Sequence, residues 1–158
     1  MCKVLVQAQD FDVGAEVNAL RQGNPKIGAI ATFTGLVRDL NDGAGVSTLT
    51  LEHYPSMTQK ALTGIVDRAR ARWQLIDCTV IHRVGELKPT DQIVFVAVAS
   101  SHRGDAFHAC EFIMDYLKTQ APFWKKESTP QGERWVDARE SDDAAAMRWS
   151  AEHAKREQ

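Results

Sequence analysis

The sequence predicts an α+β fold, and three observations carry that reading. Gln92 to Ala99 (QIVFVAVA) is almost continuously apolar, as a central strand covered on both faces has to be. Two long stretches, one from Ser56 to Trp73 and one opening after Ser100-Ser101, repeat apolar residues at helical spacing. The other strand-like runs fall among these helices without the strict βαβ alternation of a doubly wound sheet.

Taken in order, Lys3 to Ala8 is a short β-prone run, and Val13 to Arg21 reads as a helix stopped by Gly23-Asn24-Pro25. Ile27 to Val37 (IGAIATFTGLV) reads as a strand. The Asn41-Asp42-Gly43-Ala44-Gly45 segment interrupts, and Val46 to Tyr54 resumes with Leu49, Leu51 and His53 on one face. These two runs are expected to pair as a hairpin with a mobile Gly-rich tip. Ser56-Met57-Thr58-Gln59 fits a capping box, with Met57, Ala61, Leu62, Ile65, Ala69 and Trp73 forming the apolar stripe behind it. Asp77 to Val84 is another strand, followed by a Gly85-Glu86-Leu87-Lys88-Pro89 turn. In the second long helix Ala106, Phe107, Cys110, Ile113, Met114 and Leu117 are expected to face inward, with Gly104, His108, Glu111, Asp115 and Lys118 on the polar face. Pro122 stops it. Phe123 to Ser128 and Arg134 to Ala138 read as short strands around Thr129-Pro130-Gln131-Gly132, and the Ala-rich stretch beyond Asp142 as a loosely held helix.

A chain of 158 residues and 17.6 kDa has the size of one domain and can bury a core without staples. Its 44% hydrophobic and 25% charged residues exclude a disordered or fibrous protein. Nineteen Lys and Arg against 21 Asp and Glu leave a charge of −2. That balance argues against a general nucleic-acid binder and leaves room for a local basic pocket. Cys2, Cys78 and Cys110 are far apart, odd in number and without a CxxC pair. Neither a disulfide framework nor a zinc ribbon is readable, and a reducing compartment is expected. Met1 to Gln7 turns polar too soon for a signal peptide, and no apolar run reaches transmembrane length, so the protein is expected to be soluble and cytoplasmic.

Several familiar sites are absent from the sequence. Gly43-Ala44-Gly45 lacks the third glycine and the helix of a dinucleotide loop, and there is no Walker motif, HExxH or GxSxG elbow. His102, His108 and Cys110 fall on different parts of a helix and do not read as a metal site. What stands out is Lys118-Thr119-Gln120-Ala121-Pro122-Phe123-Trp124-Lys125-Lys126-Glu127, where three lysines leave a helix end and cross a proline into an aromatic strand. On the residues alone two readings stay open. Lys118 can complement the helix dipole while Lys125 and Lys126 protect an edge strand; or the lysines line a pocket that binds an anion and moves protons. Ser100-Ser101-His102-Arg103-Gly104 likewise suits either a phosphate at a helix N-terminus or a plain cap. Arg38, at the end of the Phe33–Val37 run, is weak evidence by itself. His82-Arg83 is weaker, with His82 read as a half-buried strand histidine. Trp124 and Trp135 flank the lysines as core or interface anchors. Together these residues point to a pocket for a small anionic ligand, with a phosphorylated one among the candidates.

Five blocks, in order and with matching spacing from about residue 27 to Trp149, resemble the catalytic (large) subunit of molybdopterin synthase. They are Phe33-Thr34-Gly35-Leu36-Val37-Arg38, Leu49-Thr50-Leu51-Glu52-His53-Tyr54-Pro55, Ile81-His82-Arg83-Val84-Gly85-Glu86-Leu87, Ser101-His102-Arg103, and Phe112 to Lys118 followed by Ala121 to Glu127. The resemblance implies an α/β hammerhead-type single domain with a mixed or antiparallel sheet over residues 1–149, and a polar extension over 150–158. It also implies a homodimer that binds a small ubiquitin-like sulfur-carrier subunit at each end, giving a heterotetramer. The implied reaction passes sulfur from the carrier's C-terminal glycine thiocarboxylate to cyclic pyranopterin monophosphate, forming the molybdopterin dithiolene. Carried over by motif, Lys118 and Lys125 would be catalytic. Arg38, His102, Arg103 and Lys126 would bind the pterin or its phosphate, Leu36, Val37 and Glu127 would line the site, and Arg139 would add a basic contact. The His-Arg pair would reach the site from the neighbouring subunit, and the Leu40 to Gly45 loop would close over substrate. The resemblance implies no metal, no other cofactor and no role for the cysteines. The alternative is a non-catalytic dimeric module that docks a ubiquitin-like partner or stores a phosphorylated pterin.

Overall fold

The structure, a computed structural model, describes residues 2–41, 44–45, 48–130, 132–136 and 143–150. Their elements run β1 (Lys3–Gln7), α1 (Val13–Arg21), β2 (Ala29–Leu36), β3 (Leu40–Asn41), β4 (Ala44–Gly45), β5 (Thr48–His53), α2 (Pro55–Arg72), β6 (Asp77–Arg83), β7 (Gly85–Leu87), β8 (Gln92–Ser100), α3 (Arg103–Gln120), β9 (Phe123–Thr129), β10 (Gly132–Val136) and α4 (143–150). Two four-stranded sheets result. One is mixed, in the order β1-β6-β8-β2, with β1 parallel to β6; the other, β10-β9-β5-β7, is antiparallel throughout.

The apolar run at β8 sits inside the first sheet and is buried on both sides, as its composition requires. Val94, Val96 and Val98 face the main core with α2 and α3, while Phe95 and Ala97 face a smaller cluster with Phe11, Leu20 and Ile81. The helix α1 covers that second face. Asp12 caps it by accepting from the Ala15 amide at 3.0 Å, and its partly buried Val13 and Val17 pack on the smaller cluster.

Several sequence expectations change here. The runs carrying β2 and β5 do not form a hairpin: β2 pairs along its length with β8, while β5 pairs with β9 and β7 in the other sheet. The β-prone surface of β2 is satisfied by the buried strand beside it, and the short β3–β4 ladder lies where the chain leaves one sheet for the other. Gly85–Leu87, read as a turn, is strand β7. Ser56 does not cap α2. Pro55, with its φ preset and no amide hydrogen to satisfy, opens the helix instead, and the Gln59 amide donates to the Val4 carbonyl at 2.8 Å. Met57 and Phe107 are exposed, and α3 buries Ala109, Phe112 and Tyr116 beside the expected stripe. The C-terminal helix is held firmly. Trp149 is 3% exposed, its indole N–H donates to Asp115 at 2.6 Å, and the Arg72 guanidinium lies over the rings of Trp73, Phe112 and Trp149. The expected extension lies outside the described residues except for residue 150. Among the described residues no helix is long and apolar enough to cross a membrane.

The reading of three unlinked cysteines is also corrected. Parallel pairing sets Lys3 opposite Thr79, which brings Cys2 beside Cys78 with Cα atoms 4.4 Å apart, and the two form a disulfide. A separation of 76 residues hid that register from the sequence. Cys110 is the free, buried cysteine.

Two measurements check this frame. Closing a 76-residue separation contributes on the order of 4 kcal/mol in the chain-entropy account, so a reductant is expected to lower Tm by about 10 °C, and an unchanged Tm would remove the clasp. A Cβ at Gly28 would lie 2.1 Å from the Ser101 carbonyl oxygen, with only backbone to yield. Gly28→Ala is therefore expected to cost about 1–3 kcal/mol in a urea melt, and a wild-type midpoint would contradict that crowding.

Candidate active site

The lysine-bearing segment folds as an elbow. The last turn of α3 presents Lys118 outward, and Ala121 and Pro122 end the helix with the Phe123 amide donating back to the Ala121 carbonyl at 2.9 Å. The chain then enters β9, where side chains alternate between faces. Phe123, Lys125 and Glu127 share one face, and Glu127 is 3% exposed. Trp124 and Lys126 share the other. Lys126 pairs with Glu133 at 3.6 Å and lies 5.8 Å from the Trp135 ring, while Trp124 meets Tyr54 edge-on at 4.6 Å. Lys125 and Lys126 thus project to opposite sides of one strand.

Two histidines, neither singled out as functional by sequence, close the elbow. His82, on β6, is 5% exposed and stacks on Phe123 with centroids 3.8 Å apart and planes 18° from parallel. Its Nδ1 lies 2.8 Å from the Arg83 carbonyl oxygen. A carbonyl only accepts, so Nδ1 carries the proton and Nε2 keeps its lone pair. Burial is the main force holding His82 far below its ordinary value of 6.5, at about 3, and the charges of Lys118, Lys125 and His53 push the same way. Those two lysines therefore converge electrostatically on His82 from α3 and β9. His53, at the end of β5, pairs across the ladder with Phe123, 6.3 Å from its ring. Its Nδ1 is buried with no hydrogen-bond partner among the described residues.

The other expected site residues divide between the two ends of the first sheet. Because β2 runs antiparallel to β8, Leu36 sits opposite Gln92 and Ala29 opposite Ser100. Leu36 and Arg38 are exposed, and Val37 between them is buried and tied by backbone hydrogen bonds to Thr90 and Asp91. The helix α3 returns along β8, so its C-terminal end, with Lys118, comes back to the Leu36–Arg38 end. His102 and Arg103, exposed at its start, lie at the far end, about 22 Å from Lys118 by helix rise. One chain therefore assembles Lys118, Lys125, His82 and His53 and leaves the His102-Arg103 pair remote. Arg139 lies outside the described residues, as does part of the Leu40 to Gly45 loop.

The remaining candidates have ordinary structural roles. His108 stacks beside Trp73 at 6.1 Å, and the Cys110 thiol, pushed up to about 11 by burial, points to the Val96 carbonyl. Among the described residues no group of three or more His, Cys, Asp or Glu could hold a metal ion.

Residues 6–120 match the family described as MoaE protein. A molybdopterin synthase catalytic subunit of Ralstonia nicotianae is 67% identical over 149 residues, covering 94% of this chain and 85% of that one. Among solved structures, a molybdopterin biosynthesis MoaE protein from Burkholderia ambifaria MC40-6 is 61% identical, with a TM-score of 0.82 over 95% of this chain and 99% of its own. A molybdopterin synthase from Staphylococcus aureus, 31% identical, has a TM-score of 0.77 over 84% and 95%.

The electrostatics of His82 has a measurable sign. The unfolded chain takes up a proton on His82 below about 6.5, whereas the folded chain resists until about 3. Stability is thus lost as pH falls through that window. In His82→Phe, which keeps an aromatic face, the fall of unfolding free energy between pH 6 and pH 4 is expected to be shallower by about one proton. An unchanged slope would mean that His82 already titrates normally in the fold.

Proposed function

We propose that this chain, which belongs to the MoaE protein family, is the catalytic subunit of a molybdopterin synthase. In this reading it transfers sulfur to cyclic pyranopterin monophosphate, and the donor is the C-terminal thiocarboxylate of a small ubiquitin-like carrier subunit. The observation that carries the reading is the α3–β9 elbow, which sets Lys118 and Lys125 on either side of Phe123 with their charges converging on one buried ring. A lone ammonium can hold an anion; two of them around a desolvated spot can also exchange protons with a reacting group.

The motif supplies the roles, and the positions of the described residues support them. Lys118, exposed at the helix end, meets the carrier's glycine tail and orients the thiocarboxylate as its sulfur attacks the pterin side chain. Water then cleaves the acyl–sulfur bond, leaving sulfur on the pterin and a carboxylate on the carrier. Lys125, on the inner face of β9, serves as general acid–base at the substrate or the leaving phosphate oxygen. Arg38 holds the phosphate from the end of β2, and Leu36, Val37 and Glu127 line the site. Lys126, on the opposite face of β9, adds a basic contact, and the same role is proposed for Arg139 from the motif alone. His102 and Arg103 are too far from Lys118 in their own chain to act in the same pocket, which supports their entering from a second copy in a homodimer. With one carrier at each end the assembly is a heterotetramer. The cytoplasm is the compartment this reading proposes, and there the Cys2–Cys78 bond has to persist against a reducing thiol pool. The protein itself supplies binding, orientation and proton transfer, while the sulfur arrives on the partner.

Two experiments decide this reading. In single turnover with thiocarboxylated carrier and precursor, Lys118→Ala and Lys125→Ala are each expected to lose about a hundredfold or more in rate. Near-normal yield from both would leave only a binding module. Mixing Lys118→Ala with Arg103→Ala subunits tests the shared site. If Arg103 acts in the neighbour's pocket, each mixed dimer keeps one intact site, so an equal mixture recovers about a quarter of wild-type activity. An inactive mixture would place Arg103 with its own chain's lysines.

A further inference from the structure

We propose that His82 is a positioning residue for this chemistry: its ring, stacked flat on Phe123, fixes the elbow that carries Lys118 and Lys125. The inference rests on the sulfur-transfer reading above and adds a residue to it. Four observations point the same way. First, the stack joins the two sheets, since His82 belongs to β6 of the mixed sheet and Phe123 to β9 of the antiparallel one. Second, Phe123 lies between the two lysines, five residues after Lys118 and two before Lys125, so an error in its placement passes to both.

Third, the ring is fixed on its other edge. Nδ1–H donates to the Arg83 carbonyl at 2.8 Å, and β6 holds the backbone in register with Val94 on β8 and Val6 on β1. Fourth, the ring is uncharged, because burial and the neighbouring lysines hold its protonation far below neutrality. A cation in this place would repel both ammonium groups; a neutral imidazole does not. The charged and titratable groups around the ring are Lys118 from α3, Lys125 from β9, His53 from β5 and, next along β6, Arg83. Sub-ångström placement matters in such a site, because a small misplacement of a reacting group costs far more rate than binding.

The test separates positioning from folding and from the parent reading. In the complete synthase with thiocarboxylated carrier, His82→Leu is expected to lower the single-turnover rate at least tenfold. The KM for the pterin and the affinity for the carrier should stay within about twofold. His82→Phe, which restores a flat partner for Phe123, should recover most of the rate. A double variant with Phe123→Leu should be no worse than either single one, because both break the same stack. A wild-type rate in His82→Leu, equal loss in His82→Leu and His82→Phe, or additive losses in the double variant would each overturn the proposal. If His82→Leu does not fold, the measurement passes to Phe123→Leu, for which the same loss at unchanged KM is expected and a normal rate is fatal. Lys118→Ala, run alongside, keeps the two claims apart. An inactive Lys118→Ala with a normal His82→Leu defeats the positioning role alone, and an active Lys118→Ala defeats the sulfur-transfer assignment itself.

Discussion

A nine-residue strand with no polar side chain from Ile93 to Ala99 has to be covered on both faces, and how β8 is covered decides where the charges of this molecule fall. Its main-core face takes α3, which follows after a two-residue turn and so has to run back along the strand. Helix and strand are of nearly equal length, about 27 Å and 30 Å, so α3 delivers its C-terminal end to the place where β8 began. Lys118 therefore arrives beside the end of β2 with Leu36 and Arg38, and His102-Arg103 stays behind at the other end. The burial of one strand thus divides the basic residues between two ends of a sheet.

The elbow after α3 adds a second constraint. Pro122 cannot continue the helix, and the strand that follows joins the other sheet, where it pairs with β5 and β10. The chain crosses from one sheet to the other at Phe123, where a large ring needs a partner and finds His82. Such a crossing is soft unless something wide and rigid spans it. A flat stack between strands of both sheets does that, with the imidazole kept neutral by its own desolvation.

Much of this frame was legible in the sequence, because periodicity and breakers act locally. The bounds of α1 were read as they occur, β8 by its unbroken apolar run, and β9 and β10 by the turn residues between them. What was not legible depends on partners distant in sequence. The β2–β5 hairpin failed because adjacency in the chain says nothing about which strand already lies alongside. The Cys2–Cys78 bond needed the parallel register of β1 on β6, and the firm seat of the last helix needed Asp115 and the three rings around Arg72. The site divided in the same way. The lysine elbow is one continuous, unusual string and was found as such. His82 and His53 are single residues in ordinary strand patterns, and only the fold brings them to Phe123.

The near-neutral charge acquires a sharper meaning from this geometry. Nineteen basic and 21 acidic residues leave no general field for a polyanion. Yet the acids with described partners sit where they quiet particular cations. Glu133 meets Lys126, Glu111 and Asp115 meet Arg148, Glu16 meets Lys3, and Asp10 meets Arg83. The inner face of β9 carries Lys125 beside the buried carboxylate of Glu127. Beside it the His82 imidazole is uncharged, and a buried setting screens the field of Lys118 and Lys125 poorly. A pocket-sized anion is attracted to such a place, and a long one has no track to follow away from it. The positive charge of this molecule is thus local rather than spread, because its carboxylates pair with particular cations.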